Sequence, residues 1–385
     1  MRKYTKMLTL LISLLLAASL MTACAAGGEG PVGGTGAADG ESASAGSKPS
    51  FKFGFIHTSF SDQLGIMYQK YASYAAKELG CEIMFAENGS DADLRMSSLE
   101  NMIQVGCNGI IVSTVTEPML KACEEAGVYL IQVGNNISDP DLAAAADNSS
   151  CYIGSVLVDN YEVGYNMAAA MYEQGCRNVA ILEFTPGAVT TMDDRASGIE
   201  AFLAEHPDMQ VATTFSGGAS AFAEGTEQIL AAYPDIDGII SVMANTSIAS
   251  SIYSFGMADQ VKYAGVDIQE GTDELLEAGT MAYVAGGAFP NAEICVAMLY
   301  NYLTGYEVWE NSLEDIRRPL VELQSVEDYN DYMKYMEGDL PVYSGDELKT
   351  IVGIYNPDVT WDDICALALD SSLESVKSRH AGLAD

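Results

Sequence analysis

Two charged residues lie at positions where a charge is unfavourable unless a specific interaction compensates it. Arg195 begins a predicted helix, although a guanidinium at that end opposes the helix dipole. Asp267 directly follows the apolar run 262–266, so its carboxylate must be compensated or must face a cleft. For Arg195 the alternative is a solvated charge cluster with Asp193 and Asp194. Both side chains hydrogen-bond small polar ligands, which is the chemistry we expect of them.

Other polar and aromatic candidates also lie where predicted strands end. Asp62 and Asn245 could each simply cap the helix that follows, because Asp and Asn are favoured there. Asn135 and Asn136 could be turn formers, since Asn tolerates left-handed backbone. We nevertheless expect a single ligand site. Its full set of predicted contacts is Phe60, Asp62, Gln63, Asn135, Asn136, Arg195, Asn245, Asp267 and Gly286.

The composition argues against catalysis and against nucleic-acid binding. With 18 basic and 54 acidic residues, the chain has a formal net charge of −36, which repels phosphate backbones and anionic membrane surfaces. It has three His and contains no G-x-S-x-G, P-loop or H-E-x-x-H pattern. Asp193 and Asp194 are adjacent on one turn, so they form no opposed acid–base pair. We therefore expect no catalytic residues, no cofactor and no metal.

Short apolar runs alternate with amphipathic helical segments beyond the N-terminal region. Runs such as 110–112 and 179–182 are apolar throughout, which is typical of strands buried on both faces of a parallel sheet. Three predicted helices end at Gly80, Gly106 and Gly127, the residue type favoured just past a helix end. Right-handed β-α-β crossovers between such strands predict a doubly wound α/β fold.

The predicted strands fall into two groups, roughly five before residue 150 and roughly five after residue 175. An irregular stretch, 143–157, separates them. This grouping predicts two parallel sheets, with an eight-stranded α/β barrel as the alternative. Ligands of open parallel sheets bind at the carboxyl edge of the strands, where the candidate contacts lie.

The N-terminus has the pattern of an export and anchoring signal. Residues 1–24 combine a basic start with an apolar run too short to span a bilayer, and they end in Leu20-Met21-Thr22-Ala23-Cys24. This ending resembles a bacterial lipobox, which would place a lipid on Cys24. An ordinary secretory signal with a chance Cys is the alternative. Residues 25–50, nearly all small or acidic, predict a flexible tether.

Seven further Cys follow Cys24. Their number is odd and no C-x-x-C occurs, so they cannot all pair within the chain. Several directly follow a Gly at a predicted helix end and open an apolar run. We therefore expect buried thiols rather than a metal or redox site.

Seven short stretches occur in a characteristic order along the chain. They are Ala75-Ala76-Lys77-Glu78-Leu79-Gly80, Leu99-Glu100-Asn101-Met102-Ile103, Gly109-Ile110-Ile111-Val112-Ser113, Cys123-Glu124-Glu125-Ala126-Gly127-Val128, Asp159-Asn160-Tyr161-Glu162-Val163-Gly164, Arg195-Ala196-Ser197-Gly198-Ile199 and Tyr263-Ala264-Gly265-Val266-Asp267. In this order and spacing they resemble the sugar-type periplasmic solute-binding proteins of ABC importers, the ribose/galactose-binding family. The similarity covers residues 51–303.

The resemblance implies two α/β lobes joined by a multi-crossing hinge that closes on one ligand. It implies a first lobe of residues 51–156 plus 287–316 and a second of 157–286 plus 317–385, which includes a C-terminal extension without an assigned role. Arg195, Asn245 and Asp267 stand at positions similar to the family's sugar-hydroxyl contacts. Asp62 stands where a cleft Asn is common.

Three positions depart from the family pattern. Gly134-Asn135 replaces an Asp-Arg pair, Leu64-Gly65 replaces an aromatic pair, and Gly286 replaces a common Gln. The departures argue against ribose as the ligand, although Phe60 could supply a ring.

The resemblance implies a receptor outside the cytoplasm that passes a small polar ligand, first of all a sugar, to the permease of an ABC importer. It would be a monomer that contacts the membrane only through lipidated Cys24. The acidic candidates disfavour anions and leave a nucleoside or an amine open as the ligand. Alternatives are a sensor that reports to a histidine kinase or chemoreceptor, and an extracellular enzyme. A regulator of the lactose-repressor type is rejected, because a signal peptide replaces its DNA-binding module.

Overall fold

The strands of this computed structural model form two sheets. It describes residues 48–309 and 314–381, so the predicted signal peptide, Cys24 and most of the tether lie outside the described residues. The first sheet contains β1 (Lys52–His57), β2 (Glu82–Glu87), β3 (Gly109–Val112), β4 (Tyr129–Val133), β5 (Tyr152–Val158) and β11 (Ile316–Arg318). Its order is β11-β5-β4-β3-β1-β2, and all pairings are parallel.

The second sheet repeats this arrangement. It contains β6 (Asn178–Glu183), β7 (Gln210–Ser216), β8 (Gly238–Ser241), β9 (Lys262–Val266), β10 (Met281–Gly286) and β12 (Val321–Leu323). Its order is β12-β10-β9-β8-β6-β7, with only the β10–β12 pairing antiparallel. Every residue of β3 and of β8 is buried, as expected for strands covered by helices on both faces.

Helices cover both sheets, and many begin at a side chain that accepts a backbone N–H. Asp62, Asp91, Asp139 and Asp159 cap four of them in this way. The helices are α1 (Gln63–Glu78), α2 (Ala92–Gln104), α3 (Glu117–Ala126), α4 (Pro140–Asp147), α5 (Asn160–Glu173), α6 (Thr190–Glu205), α7 (Phe222–Ala232), α8 (Thr246–Ser254), α9 (Thr272–Glu277), α10 (Asn291–Leu303), α11 (Val326–Tyr335), α12 (Gly345–Thr350), α13 (Trp361–Leu369) and α14 (Leu373–His380).

The chain crosses between the sheets three times, from β5 to α5, from β10 to α10 and from β11 to β12. Helix α5 packs on β8, β9 and β10, whereas α10 packs on β3, β4 and β5. The molecule therefore has two doubly wound lobes, here called the first and second lobe after their sheets. The predicted fold class is confirmed, and the alternative of a closed barrel is wrong.

The stretch 143–157, predicted to be irregular, contains most of α4 and of β5. The run from Tyr152 to Val158 is buried at every position, so it is a central strand of the first sheet. Its Gly and Ser weakened the apolar pattern by which the other strands were predicted.

The C-terminal extension contacts both lobes. Helix α11 packs on α9 and β12 of the second lobe, while α12 contacts α1 and α10 and α13 contacts β11 of the first. Helix α14 then returns to α11. Within residues 317–385, which we predict to belong to the second lobe, α12 and α13 thus contact the first lobe.

Candidate functional site

Asp267 lies at the carboxyl edge of the second sheet in a strained backbone conformation. Its φ of 83° is the only positive φ outside glycine among the described residues. Such a conformation costs about 1–3 kcal/mol and persists where the surrounding structure requires it. The side chain is exposed to solvent at the end of β9, although protein atoms surround it closely. This position presents the carboxylate at the strand edge rather than in the core.

Charges from both lobes act on Asp267. Desolvation raises the pKa of its carboxyl, the guanidinium of Arg195 lowers it, and the carboxylate of Asp62 raises it. Asp62 begins α1 of the first lobe, where its Oδ1 accepts the Gly65 N–H at 2.8 Å. Two carboxylates from different lobes thus lie close enough to repel each other. Such repulsion is relieved by donors placed between them.

Arg195 was predicted to begin a helix, but α6 begins at Thr190 and Arg195 lies in its second turn. The side chain is in the interior, 5% exposed, rather than in a solvated charge cluster, because α5 and α6 pack closely. A Cβ on Gly164 would overlap the backbone oxygen of Arg195, and one on Gly198 would overlap that of Tyr161, so both positions require glycine. The Arg195 guanidinium donates to the Val242 carbonyl and, at 2.5 Å, to Asn160 Oδ1.

The guanidinium of Arg195 is not fully paired by the protein. Its Nε has no hydrogen-bond partner among the described residues, and no carboxylate lies within ion-pair distance there. Desolvation lowers the pKa of Arg195, and the charge of Asp267 partly offsets this effect. A buried and incompletely paired guanidinium next to an edge carboxylate is a suitable donor for a polar ligand.

The loop after β4 places Asn135 and Asn136 near the second lobe. Asn135 donates to the Ser113 carbonyl at 2.9 Å, and Asn136 Oδ1 is buried without a partner among the described residues. Two residues further on, the Ser138 hydroxyl lies 3.1 Å from the Thr190 hydroxyl at the start of α6. The lobes therefore touch at this rim.

Three of the predicted contact residues, Phe60, Asn245 and Gly286, interact with other parts of the protein. The Phe60 ring is 8% exposed and packs edge-on against Phe55 and Phe85. Asn245 caps α8, accepting from Ser247 N at 3.0 Å and donating to the Ala219 carbonyl at 3.1 Å.

Gly286 is buried at the end of β10. A Cβ there would lie 2.8 Å from the Ile268 side chain, so this glycine is explained by packing. For Phe60, Asn245 and Gly286, then, local structure explains the residue without a ligand.

Three residues near the candidate site, Glu337, Tyr332 and Asn160, were not predicted from the sequence, and Gln63 contacts one of them. Its amide donates to the carboxylate of Glu337, in the loop after α11. Tyr332 of α11 lies beside Gly286, and Asn160 orients Arg195. No sequence signal pointed to Glu337 or Tyr332, because both lie in the C-terminal extension, outside the residues that resemble the family. Asn160 lay in a quoted stretch, but it reads as the start of a helix.

The described residues contain no group of three or more His, Cys, Asp or Glu arranged to hold a metal ion. In the same part of the chain, no helix is both long and apolar enough to cross a membrane. The seven described Cys are free thiols, five of them buried. The carboxylates, amides and guanidinium described above are suited to hydrogen bonding with a polar ligand.

Comparisons with known proteins identify the family and the fold of this chain. A family model described as a periplasmic binding protein domain matches residues 53–307. An ABC transporter periplasmic solute binding protein from Actinobacillus succinogenes with bound D-allose is similar at 24% identity and a TM-score of 0.61, over 72% of this chain and 99% of that one.

Two further solved structures are similar. A periplasmic sugar-binding protein from Pseudomonas fluorescens has 14% identity and a TM-score of 0.68, over 85% of this chain and 99% of that one. The binding component of an arabinose ABC transporter from Shewanella sp. ANA-3, bound to L-arabinofuranose, has 18% identity and a TM-score of 0.62, over 74% of this chain and 95% of that one. Likenesses at these identities show the shared fold.

Proposed function

This chain belongs to the family of the periplasmic binding protein domain, whose model matches more than half of its residues, and from that premise we propose that it captures a sugar between its lobes and delivers it to an ABC importer. The family consists of extracytoplasmic solute-binding proteins rather than enzymes. The sugar, the importer and the lipid anchor are the parts of the function that we propose.

The observation that supports the proposal is the electrostatic interaction between Asp62 and Asp267. They come from different lobes, and the charge of Asp62 raises the pKa of Asp267. A sugar hydroxyl donates to one acceptor while it accepts from another group, so it can bond a carboxylate and a guanidinium together. Asp62, Asp267 and Arg195 offer this combination within one site.

The balance of charges favours a neutral ligand with many hydroxyl groups. Asp62 and Asp267 are acceptors, whereas Arg195 is a donor already bonded to Val242 and Asn160. An anion placed here would meet two carboxylates and one partly occupied guanidinium. The sugars named with the similar structures, D-allose and L-arabinofuranose, belong to the class that we propose.

Closure of the lobes would couple binding to transport. A ligand that bonds Asp62 in one lobe and Asp267 in the other binds the closed state best and therefore shifts the population toward it. The Ser138–Thr190 contact at the rim supports an approach of the lobes of this kind. We propose that the permease recognises the closed form.

The anchor is proposed from the sequence alone. Lipidated Cys24 would hold the protein at the outer face of the cell membrane, with residues 25–50 as the tether. One acyl chain gives only marginal membrane binding, so stable anchoring requires the several chains that lipoproteins carry at such a Cys.

A thermal-shift panel tests the ligand class. The full-length protein is melted with D-allose, D-arabinose, L-arabinose and D-galactose, and with polyols, nucleosides and amino acids for comparison. A ligand at about 100 times its Kd adds about 2.7 kcal/mol to the unfolding free energy, which raises Tm measurably. We expect a shift with at least one sugar. Shifts confined to amino acids or nucleosides would replace the proposed ligand class.

The substitution Asp267→Asn tests the site. Asn keeps the shape and tolerates the left-handed backbone, but it removes a charged acceptor worth about 1.5–3 kcal/mol. We expect the Kd of the sugar, measured by calorimetry, to rise at least about tenfold. The exposed residue Asp259 provides the matched control Asp259→Asn, which should leave the Kd unchanged. Unchanged affinity in Asp267→Asn would remove this residue from the site.

A further inference from the structure

The loop that follows α11 reaches the candidate site from outside both sheets. Gln63, at the start of α1, donates its amide to the Glu337 carboxylate. Lys70 of the same helix lies 3.3 Å from the Glu337 carbonyl and also donates to the Gly338 carbonyl. Since α1 belongs to the first lobe and α11 packs on the second, Glu337 lies where the two lobes adjoin.

Tyr332 fixes this loop against the strand ends. Its side chain is buried, and its hydroxyl would lie 3.3 Å from a Cβ on Gly286. A Cβ on Gly287 would lie 3.5 Å from the Tyr332 ring. Glycines at the end of β10 thus leave the space that this tyrosine fills. Because β10 pairs with β9, which leads into Asp267, the tyrosine and the loop lie beside the strand edge that carries the candidate site.

Electrostatic effects connect the same groups. Desolvation raises the pKa of Tyr332, and so do the charges of Glu337 and, more weakly, Asp267. Desolvation also raises the pKa of Glu337, while hydrogen bonds with Tyr332 and Gln63 and the charge of Lys70 lower it. Glu337 is half-buried, so its carboxylate keeps acceptor capacity beyond the bond from Gln63.

We propose that Glu337 is a ligand contact contributed by the C-terminal extension, accepting a hydrogen bond from one hydroxyl group of the bound sugar and thereby determining which sugars bind. This inference rests on the proposed sugar-binding function. It gives the extension a role in recognition, and it supplies a polar side chain on the face where Gly286 has none. With Asp62 and Asp267, the site would then hold three carboxylate acceptors from three separate segments.

The test compares Glu337→Gln and Glu337→Asp with wild type in the full-length protein. Calorimetric titrations use two sugars of the panel that bind wild type and differ in the configuration of one hydroxyl group. Glu337→Gln removes the charge and keeps the shape of the side chain. Glu337→Asp keeps the charge and shortens the side chain by one methylene group. Glu327→Gln, an exposed position on α11, is the matched control. Melting curves without ligand establish that each variant is folded.

We expect Glu337→Gln to raise the Kd at least about tenfold, as loss of a charge-assisted hydrogen bond does, and to change the Kd ratio of the two sugars. Glu337→Asp should change that ratio as well, which a purely structural role would not do. The control should match wild type. Equal Kd values and an unchanged ratio in folded Glu337 variants overturn this inference and leave the proposed function intact. A wild-type protein that binds no sugar overturns both.

Discussion

Glu293 of α10 is fully buried, and neither of its carboxylate oxygens has a hydrogen-bond partner among the described residues. Desolvation raises its pKa well above the ordinary value of 4.5, and the nearby charges of Arg318 and Arg379 offset this only in part. A buried carboxyl group in such surroundings is held in its protonated form. It lies beneath the C-terminal extension, close to the charges of Arg318, Glu347 and Arg379.

This residue predicts how stability depends on pH. In the range above 4.5, the folded protein keeps a proton on Glu293 that the unfolded chain releases, so the unfolding free energy falls as pH rises toward the folded pKa. The slope contributed by one proton is at most about 1.4 kcal/mol per pH unit. Glu293→Gln cannot release a proton and should flatten this fall.

Urea unfolding at about pH 5 and about pH 8 measures the effect. Asp267 and Glu337 also have raised pKa values. The change in unfolding free energy between the two pH values is therefore compared between each variant and wild type. The exposed position Glu227 serves as the control, Glu227→Gln, and should keep the wild-type slope. Identical slopes in wild type and Glu293→Gln would show that Glu293 is ionised in the folded protein.

Among the elements, the helices of the C-terminal extension contact both lobes, in addition to the three crossings. Its loop between α11 and α12 receives hydrogen bonds from α1, and α13 covers the Arg318 side chain, whose Nε donates to the Ala368 carbonyl at 3.0 Å. Arg318 Nη1 also donates to Asn291 Oδ1 at 2.8 Å, at the start of α10. The extension is therefore part of the folded body rather than an appended tail.

Tyr71→Phe tests this connection. The Tyr71 hydroxyl donates to the Met336 carbonyl at 2.6 Å, and its ring stacks on Phe289 with centroids 5.0 Å apart. Phe keeps the stacking and leaves a buried carbonyl without that donor, which costs about 1–3 kcal/mol. We expect a loss of that size in urea unfolding, with a single transition retained. Tyr161→Phe, at a position 46% exposed, is the control and should lose less than about 0.5 kcal/mol.

At the scale of the whole molecule, two sheets with the same strand order face one another through their carboxyl edges. Each lobe buries its own strands, so the three crossings, the C-terminal extension and the rim contacts together limit how far the lobes separate. The Ser138–Thr190 contact joins two exposed hydroxyl groups and contributes little by itself. A ligand bonded to both lobes would therefore govern the balance between open and closed forms.

We propose that the molecule is anchored to the membrane through Cys24. We expect that Cys24→Ala prevents incorporation of radiolabelled palmitate and moves the protein from the membrane fraction to the soluble fraction or the medium. Cys365→Ala, at a partly buried free thiol in the extension, is the control and should stay with the membrane. Retention of label and membrane association in Cys24→Ala would assign the N-terminus to an ordinary secretory signal.

The sequence was sufficient for the parts of the fold that depend on local patterns. Continuous apolar runs such as 110–112 predicted buried parallel strands, and glycines such as Gly127, which adopts φ 65°, predicted helix ends. Strand β5 was missed because its burial comes from its neighbours in the sheet rather than from its own pattern. For the site, edge position alone selected Asp62, Arg195 and Asp267, since parallel strands bring their carboxyl ends together whatever their order.

Only the tertiary structure decided which candidate side chains have polar groups without a partner, and which additional residues join the candidate site. The local sequence allowed Asn245 to cap α8, but its hydrogen bond to the Ala219 carbonyl, 26 positions away, depends on tertiary packing. Glu337 reaches Gln63 across 274 positions of the chain, and only the packing of α11 on the second lobe brings it there. Local sequence determined the strands, the helix ends and the edge residues, because these follow from neighbouring side chains. Long-range packing determined the composition of the site, because it depends on how separate elements meet.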